Sequence, residues 1–163
     1  ESMTTTEFKS LIDRFYRVTT DIFIKSDAMI DKLIGDEVTA FYMPGLAGED
    51  YVGKAVRAAE EILIQTGHQD QQGPWAPVGV GVHTGVAYVG AVGSSDGVVD
   101  ITALGDSVNI AARLASMAKT GEILLSERTL DAARMDPARM EHRNLTLKGK
   151  SAPFDVHVRT IAP

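Results

Sequence analysis

The stretch from Thr4 to Phe23 leaves the backbone little choice. Thr4-x-x-Glu7 has the form of a capping box, in which a threonine oxygen and a glutamate carboxylate satisfy reciprocal backbone N–H groups at a helix start. Phe8, Leu11, Ile12, Phe15, Val18, Thr19, Ile22 and Phe23 then recur at helical spacing, with Lys9, Asp13, Arg17 and Asp21 between them. The pattern predicts an amphipathic helix whose aromatic stripe belongs to a core, so another layer must cover it.

That layer reads as sheet. Met29–Ile34 and Val38–Tyr42 are strand-like runs joined at Gly35-Asp36, which predicts an antiparallel hairpin. A second amphipathic helix is expected from Glu49-Asp50 through Leu63, and a surface loop over Gly67–Pro77. Val78, Val80, Val82 and Thr84 alternate before Gly85, and Val86–Val89 follows, so these two runs read as a second hairpin. After the Gly93–Gly97 turn comes another strand, Val98–Thr102. Asp106 or Ser107 is the expected cap of a helix running through Ala118 and stopped by Gly121. A strand at Glu122–Leu125, a short helix from about Ser126, and strands at Asn144–Leu147 and Phe154–Val158 complete the chain. The fold class expected is α/β (α+β), with a mixed, mainly antiparallel sheet and helices packed on it.

At 163 residues this is one domain, and 44% hydrophobic with 23% charged residues suffices for a core. A formal charge of -6 gives no basic footprint, so no nucleic-acid partner is expected. The absence of cysteine removes disulfides, thiolate catalysis and cysteine-ligated zinc. No apolar run is long enough to span a bilayer. His68 and His142 stand in no ligand cluster, and Trp75 is too isolated for a base-stacking platform.

Three ordered segments carry a more specific signal: Asp31-Lys32-Leu33-Ile34-Gly35-Asp36-Glu37, Val80-Gly81-Val82-His83-Thr84-Gly85, and Ile101-Thr102-Ala103-Leu104-Gly105-Asp106-Ser107-Val108-Asn109-Ile110-Ala111-Ala112-Arg113-Leu114. Together they resemble the class III adenylate and guanylate cyclase catalytic domains, closest to the bacterial adenylate cyclases. The resemblance implies a ferredoxin-like cyclase fold over residues 1–163. It also implies that the domain is partial and N-terminally truncated: family members usually begin with a central strand carrying Phe-x-Asp-Ile, whose aspartate is a metal ligand. Its absence predicts a gap near the sheet centre.

Residue roles follow by position. Asp36 resembles a metal carboxylate, and two ions, Mg²⁺ or Mn²⁺, are expected in an intact site. Asp106 is assigned to the helix start and Asp100 to a loop or strand edge, neither to the metal. Asn109 and Arg113 are four apart, on one helical face. By spacing alone they are an ordinary polar face; in the motif they resemble the ribose-orienting amide and the transition-state phosphate contact. Lys32 and Thr102 resemble the purine-selecting pair and favour ATP over GTP. Lys148 resembles a triphosphate contact, with Lys150 as the neighbouring alternative, while His83 is assigned to packing or backbone hydrogen bonding.

The resemblance therefore implies an adenylate cyclase, a phosphorus–oxygen lyase that converts ATP to 3′,5′-cyclic AMP and pyrophosphate. It acts in signal transduction as a homodimer, since family sites are divided between two domains; this segment alone is expected to be inactive. The nearest alternatives are a guanylate cyclase and a noncatalytic nucleotide-sensing or dimerisation domain. An upstream sensory domain and a cytoplasmic location, including as the cytoplasmic part of a membrane-associated parent, complete the expectation.

Overall fold

In the computed structural model, residues 3–93, 97, 99–147 and 152–161 are described. Helix α1 (Thr5–Lys25) starts at the capping box read from the sequence: the Thr4 hydroxyl accepts from Glu7 N, and the Glu7 carboxylate accepts from Thr4 N at 2.8 Å. Phe15, Thr19 and Phe23 are its buried residues.

Strands β1 (Met29–Ile34) and β2 (Glu37–Phe41) form the expected antiparallel hairpin. Gly35 takes φ +62° in its turn, a conformation glycine adopts without steric penalty. The Tyr16 hydroxyl of α1 donates to the Gly35 carbonyl at 2.7 Å and pins that turn to the helix. A short helix α2 (Pro44–Ala47) precedes α3 (Tyr51–Gln65). Ala58 and Ile62 of α3 pack with Phe23 against Ile30, Val38 and Ala40, so the hairpin lies on the two long helices.

The remaining elements are β3 (Val80–Val82), β4 (Tyr88–Gly93), β5 (Val99–Leu104), α4 (Asp106–Met117), β6 (Glu122–Ser126), α5 (Glu127–Ala133), β7 (Glu141–Leu145) and β8 (Phe154–Thr160). A single 3₁₀ turn, Pro137–Arg139, lies before β7. The main sheet runs β3-β6-β8-β7, with β3 parallel to β6 and the other pairs antiparallel. Ile110 and Leu114 of α4 cover one face through Leu124, Leu145, Leu147, Val156 and Val158. The opposite face carries Ile123 and Leu125, packed on Val56, Ala59 and Leu63 of α3 and on Leu130 of α5.

The second expected hairpin is corrected. β3 does not pair with β4: Val80, Gly81 and Val82 pair in parallel with Ile123, Leu124 and Leu125, while β4 pairs antiparallel with β5 as a separate two-stranded unit. The reason is steric as well as topological. A Cβ on Gly81 would sit 2.3 Å from Ala115 N, so this glycine lets β3 lie directly under α4, beside β6. The helix start is also corrected. Gly105 is the N-cap, without a side-chain cap bond, and Asp106 is the first helical residue. Gly105 has φ +140°, which a side chain would strain. Ser107 donates instead to Val86 O at 3.0 Å, tying the helix to the segment before β4. The helix ends at Met117, ahead of Gly121, whose N–H donates to Val78 O. β7 begins at Glu141, three residues before the expected strand.

Candidate functional site

Two elements far apart in sequence meet at Lys32. The β1–β2 register advances normally to Ile30↔Ala40, then shifts so that Lys32 faces Thr39, leaving Asp31 as the extra residue of a bulge. A bulge re-aims the side chains beside it. Here the Lys32 ammonium reaches β5, 3.2 Å from the Thr102 hydroxyl oxygen and 3.2 Å from the Asp100 carboxylate. Alternation along β5 puts Asp100 and Thr102 on one face. Thr102 is buried beneath the contact, whereas Asp100 is exposed. One Asp31 carboxylate oxygen at the bulge is buried without a hydrogen-bond partner among the described residues.

The sequence paired Lys32 with Thr102 through the resemblance, and the structure brings those two together. Sequence reasoning left Asp100 at a loop or strand edge. Its ion pair was missed although a signal existed, because two residues before Thr102 is the same face of the same strand.

Asp36 is exposed in the β1–β2 turn. Among the described residues no group of three or more His, Cys, Asp or Glu stands together as a metal centre. One exposed carboxylate does not fit a two-ion site, so the described residues alone do not hold the expected cations. Asn109, exposed, and Arg113, half-buried, project from α4 one turn apart. Arg113 makes no ion pair among the described residues, which leaves its fixed fork of donors available to a phosphate. Lys148 and Lys150 lie outside the described residues.

His83 is a packing residue in geometry: its Nδ1 lies 2.9 Å from Ser126 Oγ and its ring 5.9 Å from that of Phe154. Ser126 and Thr129 continue the contact to Thr84, tying the end of β3 to the start of α5. Trp75 stacks under the Arg14 guanidinium at 3.8 Å. His142 contacts Asp155 at 2.8 Å and faces His157 across the strand pair.

A cleft of about 350 Å³ opens between β2 and β3, edged by Val38, Ala40, Val80, Val82, Ala111 and Ala115. Neither it nor the adjoining cleft beneath α1 is lined by Lys32, Thr102, Asn109 or Arg113; Asp36 borders the latter. The candidate site is therefore an open surface.

Residues 15–158 match the adenylate and guanylate cyclase catalytic domain family. The chain belongs to this family. The cyclase domain is 27% identical over 158 residues to adenylate cyclase 1 of Rhizobium meliloti, covering 93% of this chain and 24% of the relative. It is 28% identical over 144 residues to an adenylate cyclase of Anabaena cylindrica, covering 82% and 28% respectively. It thus spans about a quarter of the length of these relatives. Among solved structures, the guanylyl cyclase Cya2 superposes with a TM-score of 0.78 at 22% identity, over 96% of this chain and 82% of that one. The adenylyl cyclase CyaB from P. aeruginosa gives 0.71 at 24% identity, over 100% and 86%. These likenesses establish the cyclase domain as a class III fold. No described helix is long and apolar enough to cross a membrane.

Proposed function

We propose that the native-length parent of this domain is an adenylate cyclase, turning ATP into 3′,5′-cyclic AMP and pyrophosphate. The carrying observation is the contact of the Lys32 ammonium with Thr102 Oγ1 at 3.2 Å, across seventy positions of sequence. Lysine donates to the adenine ring nitrogen and the threonine hydroxyl accepts from the exocyclic amine, so a wrong base leaves polar groups unpaired. Asn109 orients the ribose. The ribose 3′ oxygen attacks the α-phosphorus, the bond to pyrophosphate breaks, and Arg113 follows the charge growing on the α-phosphate. No protein nucleophile is required.

The proposal includes two divalent cations, Mg²⁺ or Mn²⁺, with Asp36 as one ligand. The cleft lies between the outer edges of β2 and β3, which pair with no further strand among the described residues. It includes a homodimer as well. Val86, Tyr88, Ile101 and Leu104, on or beside the β4–β5 unit, are exposed apolar side chains, and a twofold partner would cover them while closing the open site. The proposal also includes an upstream sensory segment that sets the dimer angle, and signal transduction in the cytoplasm as its setting; the chain spans about a quarter of the length of the two relatives, which leaves room for further segments in proteins of that kind.

The test is direct. Native-length protein is given ATP or GTP with Mg²⁺ or Mn²⁺, and the cyclic product is identified by mass. Cyclic AMP as the main product is expected. Preferential cyclic GMP would make it a guanylate cyclase, and tight nucleotide binding without either product would make it a noncatalytic nucleotide-responsive domain.

A further inference from the structure

Burial in the main sheet ends at β7, its outermost strand beside β8, and two imidazoles meet there. The register sets His142 directly opposite His157, with ring centres 5.2 Å apart and planes tilted by 54°. Asp155 lies on the same face two residues along β8, its Oδ1 2.8 Å from His142 Nε2 and 2.7 Å from Asn144 Nδ2. We propose that His142 and His157 form a binding site for a divalent transition cation of the Zn²⁺, Cu²⁺ or Ni²⁺ class, with Asp155 orienting the His142 ring. Imidazole nitrogen suits these ions, whereas Mg²⁺ and Mn²⁺ prefer oxygen.

A neutral imidazole carries one N–H and one lone pair, and an ionised carboxylate only accepts. The contact with Asp155 therefore puts the His142 proton on Nε2 and leaves Nδ1 as the nitrogen with a free lone pair. Asn144 donates to the same carboxylate oxygen and steadies it. A carboxylate behind the ring is the support that metal-ligating histidines ordinarily have. His157 Nδ1 is buried with no hydrogen-bond partner among the described residues, so no described group already occupies it. The spacing agrees as well: a Zn–N bond of about 2.0 Å sets each ring centre about 3.2 Å from the ion, and a tetrahedral angle then puts the two centres about 5 Å apart.

Among the described residues no third His, Cys, Asp or Glu completes the set, so water fills the other positions and the ion exchanges with solvent. The site also stands apart from the groups given to the nucleotide. His157 is in register with Leu125, whose sheet face packs on α3 and α5, whereas Asn109 and Arg113 belong to α4 on the other face. A bound ion would tie the edge strand β7 to β8 and stabilise the folded state by mass action.

The experiment uses native-length protein without a histidine tag and without nucleotide. Zn²⁺ alone is titrated by calorimetry, with Mg²⁺ in excess to occupy carboxylate oxygens. The parent should bind Zn²⁺ and melt at a higher temperature with it. Asp155→Asn should weaken binding by about tenfold to a hundredfold, and His142→Gln and His157→Gln by at least as much. The His142 side chain is 50% exposed, so its replacement should leave melting in a chelator unchanged and isolates the loss of a ligand from a loss of fold. Copper resonance spectra give a second reading that needs only the parent and His142→Gln: two coordinating imidazole nitrogens are expected in the first and one in the second. A parent that binds no Zn²⁺ would overturn the proposal. So would affinity unchanged in His142→Gln and Asp155→Asn, which places the ion elsewhere, or a copper spectrum that is the same in both proteins.

Discussion

The four-stranded sheet and the two hairpins divide the molecule by what holds them. In the sheet, β6 is buried at every position, β8 is paired on both edges, and helices cover both faces. Among the described residues, the β1–β2 and β4–β5 units are each paired only within themselves, and they carry Lys32, Asp36, Asp100 and Thr102. Burial makes the first region stable and chemically mute. Partial exposure leaves the second able to meet a ligand; β1–β2 is seated on α1 and α3, and a glycine turn, a bulge and the Tyr16–Gly35 bond set its local geometry. Ligand-facing groups are commonly displayed in this way, on segments held by a rigid scaffold.

Helix α4 belongs to both regions, so adjacent residues separate them most sharply. Arg113 is half-buried and Leu114 is fully buried against the sheet. On the proposed function, Arg113→Ala in the native-length protein should lower cyclase kcat by about 10³-fold, about 4 kcal/mol of transition-state stabilisation, since that reading sets its cation against the reacting phosphate. Its melting temperature should stay that of the parent. A variant that melted early would place Arg113 in the scaffold and break the division. Leu114→Ala should do the reverse, with a loss of about 3 kcal/mol in denaturant unfolding through the cavity it leaves between α4, Leu124 and Val156. A loss below about 1 kcal/mol would show that α4 is loosely seated on the sheet, outside the range typical of buried leucines.

How much of this could be read in advance follows the same division. Helix α1, helix α3 and the β1–β2 hairpin are written locally, in a capping box, a helical period and a glycine turn, and each stands where those signals put it. The partner of β3 is not local. Val80-Gly81-Val82 looked like half of a hairpin because a similar run follows it, yet its edge is filled by Ile123–Leu125, more than forty residues away. Nor does any pattern in the sequence announce the Asp31 bulge that aims Lys32. The meeting of Lys32 with Thr102 was legible through the resemblance alone, since spacing says nothing across seventy residues. Asp100 could have been found by carrying the alternation of β5 two residues back.

The smallest effect tests whether the scaffold is as chemically mute as its burial implies. Arg143 on β7 reaches over β8 to Glu122 on β6, with Nη1 and Nη2 donating to the two carboxylate oxygens at 2.9 and 3.0 Å, and Lys119 N adds a third donor. Those hydrogen bonds, the Arg143 ones foremost, hold the Glu122 carboxyl below its ordinary range. Glu122 is nearly buried, so the pair is little screened by solvent. Glu122→Gln should therefore cost about 2 kcal/mol near neutral pH, the size of a charge-assisted bond lost inside a protein. The sign of its pH dependence follows from the depressed folded value. The stabilisation is fully present above the unfolded glutamate value of about 4.3 and drains away as pH falls through the lower folded value. Denaturant unfolding of both proteins at stepped pH should show the gap closing only below that point. A gap that held constant into strong acid would mean that Glu122 acts by shape alone.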